Sequence, residues 1–257
     1  MLPVRHVAIM FFAFFVIFVV VLMPPATLLA LSGLDGKISY SNASGSISRM
    51  EFSDFSIAGR YVGDVSFTPE IVPLLAGDFG GTLIFSGAGR QGQLIFEFDG
   101  ARQQVTVQNL VVTTPVTIQT VFGPLSGLAQ IRTDESEISL VNGCQSGTFA
   151  LSSTLFDNIF ERAGLRAPPL KGQAVCQANG MLRIDMETST DDIIIFVKAV
   201  ANSVQDWSVP QVNMVAEIKP DIGKHLPNRL TLMLDAAGLP QEDGTYRLLL
   251  PLGPNKG

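Results

Sequence analysis

The sequence predicts a mainly β protein: an N-terminal transmembrane helix followed by a curved antiparallel β-sheet domain with a few short helices. Three observations lead there. Residues 7–23 (VAIMFFAFFVIFVVVLM) are apolar without interruption, and no charged residue lies between His6 and Asp35. Beyond Gly33 the chain breaks into short runs in which apolar and polar residues alternate. Glycine-rich turn signals separate those runs.

The helix comes first. An apolar stretch of about 17–25 residues can cross the roughly 30 Å hydrocarbon core of a bilayer. Phe, Val and Ile dominate this one, and lipid favours them. Pro24-Pro25 follows, and a proline pair stops helix propagation. Arg5, His6 and the amino terminus lie on the short side, which favours a cytoplasmic location for that side. Residues 1–32 are therefore expected to form a short cytoplasmic N-terminus and anchor, and residues 33–257 a non-cytoplasmic β-rich domain, which the family resemblance given below would make periplasmic. A cleaved signal peptide is the alternative, because Ala30-Leu31-Ser32 before Gly33 has the small-residue spacing of a cleavage site. Against cleavage, the apolar run exceeds the about 7–15 residues of a signal-peptide core, and its basic flank is thin. Either way the bulk of the chain crosses a membrane.

The strands come next. Gln93-Leu94-Ile95-Phe96-Glu97-Phe98 puts Leu94, Phe96 and Phe98 on one face, and Val105 with Val107, Ile138 with Leu140, and Leu182, Ile184 and Met186 repeat the pattern. One dry face and one wet face is the signature of antiparallel sheet. Gly80-Gly81, residues 87–92, Asp99-Gly100, Asn142-Gly143, Asn179-Gly180 and Asp243-Gly244 supply the turns. Three segments read as helices. Thr68-Pro69-Glu70 resembles an N-cap with proline in the first turn, opening a helix that runs to Leu75. Residues 153–163 place Leu155, Ile159 and Phe160 on one face, with Gly164 as the stop. After Pro227, Leu230, Leu234 and Ala237 share a stripe, although this leucine-rich stretch also fits a strand.

Composition narrows the function. The formal net charge is −6, and no block of Lys or Arg occurs. Nucleic acid demands a basic footprint, so it is not an expected partner. The chain has two cysteines, Cys144 and Cys176. In an exported domain an even count favours a disulfide; two buried thiols are the alternative. Closing a loop of roughly 33 residues would stabilise the fold by about 3.7 kcal/mol in the chain-entropy model.

Chemistry-bearing motifs are sparse. Gly87-Ala88-Gly89-Arg90-Gln91-Gly92 matches the dinucleotide fingerprint, but a strand-like segment follows it where a helix is required, so it reads as a hairpin turn. Outside the membrane stub only His225 could serve a histidine dyad, and it lies in a Pro/Gly-bounded stretch. Asp191-Asp192 looks like a turn entering the strand 193–197. Asn42-Ala43-Ser44 has the pattern of a glycosylation sequon, relevant only where that machinery exists. No H-E-x-x-H is present, and two cysteines do not make a zinc site. No catalytic residue, cofactor, metal or small-molecule substrate is expected.

The motifs in order resemble the type II secretion system protein N family, the general secretion pathway protein N of Gram-negative bacteria. A short N-terminus, an apolar helix and Pro24 are followed by Gly45-Ser46-Ile47. Then come Thr68-Pro69-Glu70 and Leu74-Leu75-Ala76-Gly77. Gly123-Pro124-Leu125-Ser126-Gly127 is similar to a P-L-x-G segment of the family. The two cysteines flank a short helix, and Pro169-Leu170-Lys171-Gly172 precedes Cys176. Gly238-Leu239-Pro240 through Asp243-Gly244-Thr245-Tyr246-Arg247 is similar to the family's closing motif. A tryptophan common after the early Gly-Ser/Thr step is replaced here by Ser48. The resemblance implies an inner-membrane accessory or assembly subunit, partnered by other type II secretion components and without catalytic residues. A lipid-handling β protein with an apolar groove is the competing expectation, because alternating apolar strands can line a groove as well as a core. A hydrolase built on His225 ranks below both.

Overall fold

A computed structural model describes residues 25–27, 38–46, 48–57, 59–70, 79–99, 101–120, 123–139, 141–166, 168–201, 212–236 and 243–252. The expected membrane helix at residues 7–23 lies outside the described residues. Among the described residues, no helix is long and apolar enough to cross a membrane. The chain divides into two compact units between Glu97 and Phe98. The division precedes the cysteine-bracketed segment.

The first unit is a sheet built from β1 (Ile38–Ser39), β2 (Asn42–Ser46), β3 (Arg49–Ile57), β4 (Arg60–Pro69), β5 (Phe79–Gly87) and β6 (Arg90–Asp99, of which the part through Glu97 belongs here). β1 and β2 both pair with β3, and β4, β5 and β6 follow in order. The antiparallel register aligns Met50, Phe67 and Leu83 in one cross-strand row and Phe52, Val65 and Phe85 in the next. Glu51, Ser66 and Ile84 fall on the opposite face. Period-two alternation thus becomes a dry face and a wet face. A bulge in β3 interrupts the register between Phe52 and Phe55. Asp54 occupies it in the left-handed region (φ 52°), and both flanking phenylalanines are buried in one cluster.

The second unit is built from β7 (Gln104–Thr120), β8 (Gly123–Ser139), β9 (Gly143–Ser153), α1 (Asp157–Arg162), β10 (Leu170–Cys176), β11 (Leu182–Ser189), β12 (Ile193–Ala201), β13 (Val212–Pro220), α2 (Asn228–Asp235) and β14 (Tyr246–Leu252). Strands β7 to β14 follow one another in space as in sequence, each antiparallel to the next. One row across β8 to β14 reads Ile131, Leu151, Gly172, Met186, Val197, Ala216, Leu248. The neighbouring row on the other face reads Arg132, Ala150, Gln173, Asp185, Lys198, Val215.

Both helices serve the apolar face. Leu155, Phe156, Ile159 and Phe160 from the α1 region and Leu230 and Leu234 from α2 join one buried cluster with Ile193, Ile195, Ala216 and Ile218. α1 enters by passing over Gly127, where a Cβ would stand 2.7 Å from Leu155 backbone atoms. Thr154 N donates to the Leu128 carbonyl (3.0 Å), and Leu128 N donates to Thr154 Oγ1 (2.9 Å). The helix ends in a Schellman motif. Leu165 N reaches the Phe160 carbonyl (2.7 Å), Gly164 N reaches that of Glu161 (3.0 Å), and Gly164 takes φ 77°. β14 also lies against β7, so the first and last strands of this unit meet.

Several expectations need correction. Thr68 and Pro69 do not cap a helix; they end β4, with Thr68 opposite Thr82 and Pro69 opposite Gly81. Residues 71–78, the rest of that segment, lie outside the described residues. The Ser153 helix begins only at Asp157, because residues through Ser153 pair in β9. Gly80-Gly81 is not a turn but lies within β5. Side chains there would strike neighbouring backbone, at 2.6 Å (Phe96 O) for Gly80 and 2.3 Å (Thr68 O) for Gly81. The segment after Pro227 is the helix α2, with Leu230 and Leu234 buried. Ala237 lies outside the described residues.

Candidate functional site

Cys144 near the start of β9 and Cys176 at the end of β10 are joined as a disulfide, with Cα atoms 5.2 Å apart. That separation is within the range a disulfide spans. Beside it, Cys144 N donates to the Gly180 carbonyl (3.1 Å), tying β9 to the β10–β11 turn. Phe149, Ala174, Leu110 and Ile184 pack around the pair. The bridge therefore closes the end of the β9–β10 pair opposite the α1 connection.

The other singled-out residues do not converge. Gly87 ends β5 and Arg90 begins β6, so Ala88 (φ 49°) and Gly89 (φ 75°) form a two-residue hairpin turn. The fingerprint is a turn, as its context indicated. Asp191-Asp192 lies in the β11–β12 turn. Lys224 Nζ donates to the Asp191 carbonyl (3.0 Å) and to Asp192 Oδ1 (3.1 Å). The bond to Asp192 and its charge raise the Lys224 pKa above the ordinary lysine value. This exposed ion pair links two loops. His225 is exposed beside it. Asn42, Ala43 and Ser44 lie in β2, opposite Ser53, Phe52 and Glu51. Among the described residues, no group of three His, Cys, Asp or Glu side chains could hold a metal ion.

Two surfaces remain. On the wet face of the second unit, an open groove of about 940 Å³ is lined by Arg132, Ala150, Lys171, Gln173, Glu187 and Lys198, among others. Its charges are mixed in sign, and Arg183 is paired with Asp185 at 2.8 Å. On the dry face of the first unit, Phe67, Phe79 and Phe96 form an aromatic trio with centroids 5.3–5.9 Å apart. Phe79 is 42% exposed, and Leu94, Phe96 and Phe98 are all only half-buried. The core expected from the alternation of β6 is thus partly open.

The closing motif has a structural meaning that sequence reasoning missed. Asp243 Oδ1 accepts from Thr245 N (2.9 Å), which holds the Asp243 carboxyl below its ordinary pKa. The turn delivers Tyr246 into the core, where its hydroxyl donates to Asp235 Oδ1 (2.6 Å) at the end of α2. That bond, followed by burial, raises the tyrosine pKa. The motif fastens α2 to β14.

Antiparallel sheets with one packed face and a cross-strand disulfide define a mainly β protein. More narrowly, the chain belongs to the type II secretion system protein N family, whose family model matches residues 36–249. Members of that family are accessory components of a secretion system. No curated protein matches the chain. No solved structure matches it either.

Proposed function

We propose that this chain is an inner-membrane accessory subunit of the type II secretion apparatus that acts by protein contact rather than by catalysis. The observation that carries the proposal is the family match across residues 36–249. In this reading residues 7–23 anchor the chain in the inner membrane, and both β units stand in the periplasm. The disulfide fits that placement, since disulfides persist in oxidising compartments. The partners are other components of the same apparatus.

The test is a deletion strain complemented with the full-length chain, scored for cargo export and for co-purification with secretion components. Unchanged export without the chain, together with no associated component, would overturn the proposal. Alkaline phosphatase fused after Gly33 should be active and sediment with membranes. A mature protein beginning at Gly33 in the soluble periplasm would remove the anchor.

A second reading, lipid handling, is favoured by one observation: the open aromatic trio of the first unit. Apolar surface left in reach of solvent can accept an acyl chain. Lipid co-extracted with the purified full-length chain, and depleted by Phe96→Ala, would favour it over the contact-subunit reading.

A further inference from the structure

The Cys144–Cys176 bridge stands just past the point where two strands of the second unit stop pairing. The β9–β10 ladder runs from Ser153 opposite Leu170 to Thr148 opposite Val175 and ends there. Beyond it each strand keeps only its other neighbour. Residues 143–147 run beside β8 in an irregular register, and Cys176 pairs with Leu182 of β11. Gly147, the first residue past the ladder, takes φ 129°, a conformation that favours glycine. Two bonds join residues 143–147 to residues 176–182: the bridge itself and the hydrogen bond from Cys144 N to the Gly180 carbonyl (3.1 Å). The rest is apolar contact, with Cys144, Cys176 and Leu182 in one cluster. The separate cluster that α1 and α2 fill contains neither cysteine. The two cysteines also differ in access. Cys144 is 8% exposed, whereas Cys176 is half-buried.

We propose that the bridge is a redox-sensitive clasp: a dithiol reductant opens it in the folded protein, residues 143–147 then part from the β10–β11 turn, and the remainder of the chain stays folded. Thiol–disulfide exchange depends on which sulfur can be reached, so it starts at Cys176. A thiolate of the reductant attacks Cys176 Sγ, the S–S bond breaks with its electron pair on Cys144 Sγ, and that sulfur takes a proton. The second thiol of the reductant then displaces Cys176 as a thiolate, which is protonated in turn. The reductant leaves as a disulfide, and this chain keeps two thiols. One hydrogen bond is then left between the two segments. A segment with so few links opens without the rest of the structure, because the ladder from Thr148 to Ser153 and the helix-covered cluster are untouched. The proposal does not rest on the secretion reading.

The experiment uses the full-length chain. Dithiothreitol is added to the folded protein, and amide hydrogen exchange is read with and without it, alkylation reporting the freed thiols. Both cysteines should become alkylated while β12 and α2 keep their protection. Exchange should rise several-fold within residues 143–147 and 176–182, the Cys144 amide included, and fall back when a sample that was not alkylated is reoxidised. Glutathione, a monothiol, halts at the first step, and its mixed disulfide should be found on Cys176. The double variant Cys144→Ser, Cys176→Ser should reproduce the exchange pattern of the reduced protein. If that variant does not fold, the reductant series on the wild-type chain decides alone. Reduction that proceeds only at the rate of global unfolding would overturn the proposal. So would a rise in exchange spread over both units, unchanged exchange in the two segments after reduction, or a glutathione adduct on Cys144.

Discussion

The two units are built from the same element, an antiparallel sheet with one apolar face, and they differ in what completes that face. In the second unit α1 and α2 supply a second layer and β14 meets β7. Phe160, Leu230, Leu234, Ala216 and Ile218 reach 0% exposure there. In the first unit the buried residues of the phenylalanine cluster stay between 5% and 9% exposed, and Phe79 is 42% exposed. A sheet alone dries only the middle of its face; a covering layer removes the remainder from water. Among the described residues, the more completely buried core is therefore that of the second unit.

The sharpest way to break this contrast is to delete one aromatic from each unit. Phe160→Ala should cost about 3–5 kcal/mol, the range for a fully buried aromatic, read as a lowered midpoint in a denaturant melt. Removing the bridge with Cys144→Ser and Cys176→Ser should cost about 2–4 kcal/mol. Alkylation of native protein should meanwhile label neither cysteine. Phe96→Ala should cost only about 1.5–2.5 kcal/mol, roughly half the buried-aromatic range, because its ring is only partly buried. Equal losses for Phe160→Ala and Phe96→Ala would erase the distinction between covered and open faces.

A smaller effect sharpens the account of α2. Tyr246→Phe removes the hydroxyl bonded to Asp235 and should cost about 1 kcal/mol. The sign of its pH dependence follows from the raised tyrosine pKa. The folded state holds the proton more tightly than the unfolded chain, whose tyrosine titrates near 10. This contribution is fully present below about pH 10 and is lost as the pH rises through the higher folded value. The difference in midpoint between wild type and Tyr246→Phe should therefore narrow in strong alkali. A constant difference would mean that the hydroxyl is not the source of the stability.

Alternation made the strands of both units legible, because a sheet with one wet face imposes period two directly on the sequence. The helix α1 was legible from Leu155, Ile159 and Phe160, which mark a single stripe; α2 was legible only as one of two readings, because Leu230 and Leu234 share a stripe in a leucine-rich stretch that also fits a strand. Their boundaries were not, since Ser153 can end a strand as readily as it can cap a helix. Thr68-Pro69 failed for a related reason: local capping chemistry is outweighed when Thr68 finds a ladder partner in Thr82. Glycine misled most. Gly80-Gly81 reads as a turn, but its lack of side chains serves close approach to β4 and β6. The same logic explains a recurrence that went unread, Pro124-Leu125-Ser126-Gly127 and Pro169-Leu170-Lys171-Gly172. Leu125 and Leu170 enter one cluster. Cβ atoms at Gly127 and Gly172 would stand 2.7 Å and 2.0 Å from neighbouring backbone. Two cysteines in a chain expected to be exported favoured their own pairing over two buried thiols, and the structure joins them.

The smallest expected effect tests whether the second unit hides a catalytic group. His225 is the one histidine outside the N-terminal stub. It lies exposed in the loop between β13 and α2. The nearby groups are already engaged: Lys224 binds Asp192, and Asp221 Oδ1 accepts from Ile222 N (2.7 Å). A general base needs a partner that orients it and a cavity that admits substrate, and His225 does not line the groove on the wet face of the second unit. His225→Ala should therefore shift stability by less than about 0.5 kcal/mol, as exposed substitutions do, and leave cargo export at the wild-type level. If export fell while the protein stayed folded and abundant, this loop would be a working surface. Rescue by Asn but not by Ala would then mark a hydrogen-bonded contact, whereas failure of both would return the enzyme hypothesis to consideration.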